Sequence, residues 1–241
     1  LELFNHVYTQ KVSAEDLLVE TVRCLIKVGK ERRQRMATLL ASLRASEGAI
    51  PLSSEDIVSL IQQHLACPRA SRLPVLVVAA AYKAASENLQ ERLLPLSGHT
   101  AADEQTSAIG DLQITLIDDN NVVTSYEMKT RRVTREDIDR ALQKISHASS
   151  KIDNYIFITT DVIDQDAKDY ARSIYEKTNG IEMTILDCIS FLRHFLHLFH
   201  RLRTQYLNAY QKLLLAEPES AVSQPLKEAF LALLQAAQTR E

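Results

Sequence analysis

From residue 110 onward the chain alternates strand and helix, and that alternation restricts it to an α/β architecture. GDLQITLI and VVTSYEMKT are rich in β-branched and apolar residues. The turn signal DDNN at 118–121 joins them, so they read as a hairpin with strands over about 110–117 and 122–130. TREDIDRALQKISHASS follows with helical periodicity, Thr134 as its cap and Asp137 at the capping-box position. NYIFITTD at 154–161 reads as a buried strand, QDAKDYARSIYEKTN as a helix and IEMTILD at 181–187 as a further strand. This order implies parallel additions to the hairpin, giving a mixed β-sheet core flanked by helices on both faces. ISFLRHFLHLFHRLRTQYLNAYQKLLL predicts one long amphipathic helix, and PLKEAFLALLQAAQ closes the chain.

Upstream of the sheet the pattern is helical. AEDLLVETVRCLIKV, ERRQRMATLLASLRAS and SSEDIVSLIQQHLA predict three helices, with Ser13 and Ser53 or Ser54 as caps. Gly29 and GAIP at 48–51 are the expected breaks. CPRASRLP at 67–74 is the expected boundary, which divides the chain into an N-terminal helical subdomain, 1–70, and an α/β domain, 71–241. A helix over about 74–94 stops at Pro95, and a polar loop over 96–109 is long enough to be functional.

Composition narrows the class further. Hydrophobic residues make up 46% and charged residues 24% of the 241, as in ordinary globular proteins. No run is long enough to span a bilayer, and LELFNHVYTQ lacks the pattern of a signal segment. The missing initiator Met predicts a fragment of a longer chain. Cys24, Cys67 and Cys188 have no framework or zinc spacing, which predicts reduced thiols and a cytoplasmic protein. A net charge of −3 argues against indiscriminate nucleic-acid binding.

The hairpin carries the candidate chemistry. Asp111 heads the first strand, and Glu127 and Lys129 stand near the end of the second, two apart and therefore on one face. Folding at 118–121 would bring two carboxylates and an ammonium to one end of the sheet. Mg²⁺ prefers oxygen ligands and keeps several waters, so two carboxylates suffice to hold it on a phosphate. The Met128 carbonyl is a further candidate ligand. Such an ion lowers the pKa of bound water and offsets charge building on phosphorus, while a lysine orients the water or stabilises the same charge. The other acidic-x-Lys sequence, Asp166-x-Lys168, lies in a helical segment, where its two ends diverge by about 200°.

GD, then E-x-K sixteen positions on, then a helix and another apolar strand, resembles the PD-(D/E)XK nuclease superfamily. Within it, LPVLVVAAAYKAASENLQERLLPLSGHTAADEQTSAIGDLQI resembles type II restriction endonucleases of the SacI kind, over roughly residues 73–190. The resemblance implies a restriction-endonuclease-like fold and sequence-specific cleavage of double-stranded DNA. It also implies that Asp111 and Glu127 bind Mg²⁺ and that Lys129 assists the attacking water. Gly110 departs from the pattern, standing where the motif has proline. Two-fold target sites call for a homodimer, and a restriction enzyme implies a cognate DNA methyltransferase.

Other residues have both a bland and a functional interpretation. Glu87 and Glu91 share a helix face, and the resemblance makes Glu87 a further candidate metal ligand; solvent-exposed charge is the alternative. His99 stands ahead of Asp111 as a DNA-contact candidate or a plain loop residue, with Asp103 and Glu104 as outer groups. Arg131, Arg132 and Arg135 follow the catalytic strand and suit phosphate or guanine contacts. Lys27, Lys30, Arg32, Arg33 and Arg35 form a second basic run, either a solvated face or a phosphate clamp. His194, His197 and His200 drift by about 60° per step, so they predict packing or interface roles rather than joint metal ligation. Two rivals remain at this level: a repair or recombination nuclease acting on structured DNA, and a non-catalytic α/β binding domain.

Overall fold

The structure, a computed structural model, describes residues 7–9, 12–45, 51–96, 109–119, 121–147 and 152–239. The chain divides into two compact units, Leu1–Ala49 and Ile50–Glu241. The smaller contains one described long helix, α1 (Ala14–Ala45), capped by Ser13, whose hydroxyl accepts from the amides of Glu15 and Asp16. Two helices with a break at Gly29 were expected, but the helix runs through that position. A mid-helix glycine costs only about 1 kcal/mol and leaves the backbone ladder intact. Leu18, Val22, Leu25 and Ile26 of α1 are exposed, as are Lys27, Lys30, Arg33 and Arg35 of the second basic run.

The larger unit begins with α2 (Ser54–Leu65), which has a complete capping box between Ser53 and Asp56. Its apolar face, Ile57, Val58, Leu60 and Ile61, is buried against C-terminal helices. The unit boundary therefore differs from the one expected at 67–74, because this packing ties α2 to the α/β unit. Next comes α3 (Leu73–Leu89), apolar on nearly all sides and buried from Leu73 to Ala81. It ends earlier than expected. Gln90 adopts a left-handed conformation (φ 55°), and a short strand, β1 (Glu91–Leu93), follows. Three residues are too few to display a period-two pattern, so β1 left no signal in the sequence.

The sheet has the order β1-β2-β3-β4-β5, with β2 (Leu112–Leu116), β3 (Val122–Lys129), β4 (Asn154–Thr159) and β5 (Glu182–Asp187). β1–β2 and β2–β3 are antiparallel, whereas β3–β4 and β4–β5 are parallel. Two helices, α4 (Arg135–Ser146) and α5 (Gln165–Thr178), make the crossovers between the parallel strands. They share a core with Tyr155, Phe157, Met183 and Ile185 on one face of the sheet. On the other face lies Tyr126, which meets Tyr82 of α3 and Phe191 of α6 (Cys188–Leu198). The predicted α/β architecture, a mixed sheet between helical layers, is thus the one observed.

The long C-terminal helix is interrupted. α6 stops at Phe199, a 3₁₀ turn spans His200–Leu202, and α7 (Arg203–Ala216) resumes; α8 (Gln224–Gln238) closes the unit. Leu192, Phe195 and Leu196 are buried, while His194, His197 and His200 stay exposed. His197 pairs with Glu55 at 2.8 Å. Among the described residues no helix is long and apolar enough to cross a membrane.

Candidate active site

The hairpin brings Asp111 and Glu127 together as its register requires. Leu112 opposes Tyr126, so the residue before β2 meets the last turn of pleat in β3. The Met128 amide donates to Asp111 Oδ2 at 2.7 Å, tying the aspartate to the backbone between Glu127 and Lys129. Gly110 makes this approach possible. A β-carbon there would stand 2.5 Å from the Tyr126 carbonyl oxygen and 2.6 Å from Ser125 Oγ, too close for any side chain. A glycine at position 110 thus has a local steric cause.

Glu127 and Lys129 project from β3 toward the α4 side, at the carboxyl end of the parallel strands. This is where α/β sheets commonly place ligands. Lys129 Nζ lies 2.8 Å from Glu127 Oε1 and 3.7 Å from Asp137 Oδ1. On the second Glu127 oxygen, the buried Tyr155 hydroxyl donates at 2.7 Å and Lys144 Nζ stands at 3.3 Å. The same hydroxyl is 3.1 Å from the Ile109 carbonyl oxygen, two residues before Asp111.

The environments push the two carboxyls in opposite directions. Burial raises the Asp111 pKa, and the neighbouring Glu127 charge raises it further, against the Met128 amide and the Lys129 charge. Burial acts the same way on Glu127, but Lys129, Tyr155 and Lys144 together outweigh it and bring that carboxyl below its usual value. A desolvated carboxylate beside a second one gains most from an added cation. Two carboxylates on adjoining strands are a donor set that suits Mg²⁺ carrying its own waters. Among the described residues, no three His, Cys, Asp or Glu side chains gather as a metal cage.

The remaining candidates fall elsewhere. Glu87 is exposed near the end of α3, and among the described residues no group of three acidic, His or Cys side chains includes it. The helix leads into β1, whose Glu91 opposes Leu116, at the opposite end of β2 from Asp111. His99, Asp103 and Glu104 lie outside the described residues. Arg131 forks onto Asp137 with two 2.7 Å bonds, so its bidentate face is engaged within the protein. Arg132 pairs with Asp164 at 3.2 Å; Arg135 lies over the Tyr170 ring and 3.8 Å from Asp166. All three follow β3 with side chains more than half exposed.

Three contributors had no separate signal in the sequence. Asp137 was legible only as a capping residue, yet it is buried and bound by Arg131. Burial alone would raise its pKa, but the Arg131 fork, the Thr134 amide and the Lys129 charge hold it at about 2. Tyr155 looked like one aromatic in a buried strand. Lys144 is one charge in the last turn of α4. Their convergence depends on the crossover of α4, which no local pattern encodes.

No curated protein matches the chain. Residues 49–160, somewhat less than half of it, match the family model of the SacI restriction endonuclease C-terminal domain. That stretch holds Asp111, Glu127, Lys129, Lys144 and Tyr155, so the likeness to a restriction endonuclease domain includes the residues gathered at this site.

Proposed function

We propose that this chain is a Mg²⁺-dependent endonuclease that hydrolyses phosphodiester bonds in double-stranded DNA, in the manner of a type II restriction enzyme. The observation that carries this reading is the meeting of Asp111, Glu127 and Lys129 at one end of the sheet, with Asp111 held on the Met128 amide. Asp111 and Glu127 are the residues that would hold the ion. When bound, Mg²⁺ supplies Lewis acidity toward the phosphate and a water of lowered pKa. Lys129 orients that water and offers an ammonium to the charge that develops on the phosphate oxygens. Tyr155 fixes one oxygen of Glu127, which sets the direction of the carboxylate.

The close partners of Glu127, whose side chain is 15% exposed among Lys129, Tyr155 and Lys144, favour a built site over a passive binding surface. Surface carboxylates on a decorative hairpin would be solvated and largely indifferent to each other. A homodimer matched to two-fold DNA sites and a methyltransferase protecting the host genome complete the proposed system. Incubating the protein with plasmid and Mg²⁺ and mapping the fragment ends tests it. Discrete bands with a common end sequence are expected, abolished by chelator without change in the circular dichroism spectrum. Preference for forks or flaps over plasmid would move the protein to the structured-DNA nucleases. No cutting of any DNA with Mg²⁺ present would overturn the reading.

A further inference from the structure

Asp137, Lys129, Glu127 and Lys144 form a row of alternating charge across the site. Two of its members come from β3 and two from one face of α4, where positions 137, 141 and 144 lie about two turns along a single stripe. The Asp137 end is closed by the Arg131 fork. The other end is the Lys144 ammonium, 3.3 Å from Glu127 Oε2, with 29% of its side chain in solvent.

Lys144 is the third group on Glu127, after Lys129 and Tyr155. Lys129 occupies Oε1 at 2.8 Å and the Tyr155 hydroxyl donates to Oε2 at 2.7 Å. A counter-ion serving burial alone would be enclosed with its partner, whereas Lys144 is more open than Lys129, at 29% against 20%.

Resting on the nuclease reading, we propose that Lys144 is a second phosphate-binding residue of this site, contacting a DNA phosphate at or beside the scissile one. Its ammonium then contributes to DNA affinity through release of counterions, a contribution that a purely structural lysine does not make.

The test is the salt dependence of binding to a labelled mixed-sequence DNA duplex, with Ca²⁺ in place of Mg²⁺. Lys144→Gln is expected to flatten the slope of log affinity against log salt by about one, the mark of one lost phosphate contact. Lys144→Arg should restore the slope. An unchanged slope in Lys144→Gln, with a wild-type melting curve, overturns the proposal while leaving the nuclease reading intact. Should the glutamine variant melt early, amine acylation of the wild type decides. Lys144 must be shielded by DNA, and equal labelling with and without DNA overturns the proposal. A wild-type protein that binds no duplex overturns both.

Discussion

Asp111 owes its position to what Gly110 lacks. With the Tyr126 carbonyl 2.5 Å from where a β-carbon would be, Gly110→Ala must push β2 away from β3 or twist the chain before Asp111. We expect a loss of about 1–3 kcal/mol, typical of overpacking, readable in urea unfolding, with a larger proportional fall in cleavage because the Met128 bond to Asp111 is disturbed. Lys129 behaves differently. Lys129→Ala removes the ammonium that pairs with Glu127 and Asp137, so a lower melting temperature is expected, while DNA binding stays near wild type and cleavage falls by at least about a hundredfold, the scale for losing one transition-state donor. Strong residual cutting would be incompatible with its assigned role. These residues were legible because their chemistry and spacing are local to a hairpin. For Glu87 the sequence says less, because a helix face identifies which residues travel together, not which end of the sheet they reach.

Among the elements, α4 matters most to the site, and its start is well encoded. Thr134 accepts from the Asp137 amide while Asp137 accepts from the Thr134 amide, a reciprocal cap visible in the sequence as T-R-E-D. Thr134→Ala should cost about 1 kcal/mol of stability, measured as a lower denaturation midpoint with unchanged slope. A variant as stable as wild type would mean that tertiary packing alone holds the helix start. The capping box made this helix predictable. Its consequences for Lys129, Glu127 and Lys144 were not, because they arise from docking against β3. β1 and the turn at Phe199 were missed for related reasons. The first is too short to carry a period, and at the second Phe199 leaves helical geometry (φ −109°, ψ 47°) inside an unbroken amphipathic pattern.

For the larger unit as a whole, His64 joins distant parts of the chain. From α2 its Nε2 faces the Leu226 carbonyl at 2.9 Å, and its Nδ1 faces the Tyr210 hydroxyl at 2.9 Å. The carbonyl can only accept, so Nε2 carries the proton and the tyrosine donates to Nδ1. Burial lowers the His64 pKa to about 4, against an opposing effect of the Leu226 carbonyl. The unfolded chain, with an ordinary histidine near 6.5, takes up a proton first as pH falls. Stability is therefore full above pH 6.5 and declines between 6.5 and 4. From pH 7.5 to 5 this one residue accounts for about 2 kcal/mol. His64→Gln, which keeps a donor and an acceptor, should show a correspondingly smaller acid loss in paired urea titrations; equal losses in both proteins would refute the linkage. The same packing explains why the unit boundary falls before α2. Helical periodicity identified the helix, but not the partner it would find some 150 residues later.

β3 is bonded on both sides, antiparallel to β2 and parallel to β4. A one-residue slip of that strand would have to break two ladders at once and would turn every side chain to the opposite surface. Errors that would send Glu127 and Lys129 the wrong way are thus eliminated by the same pairing that closes the sheet. A molecule that completes its folding has its acid and its ammonium correctly aimed, and needs no separate step to assemble them.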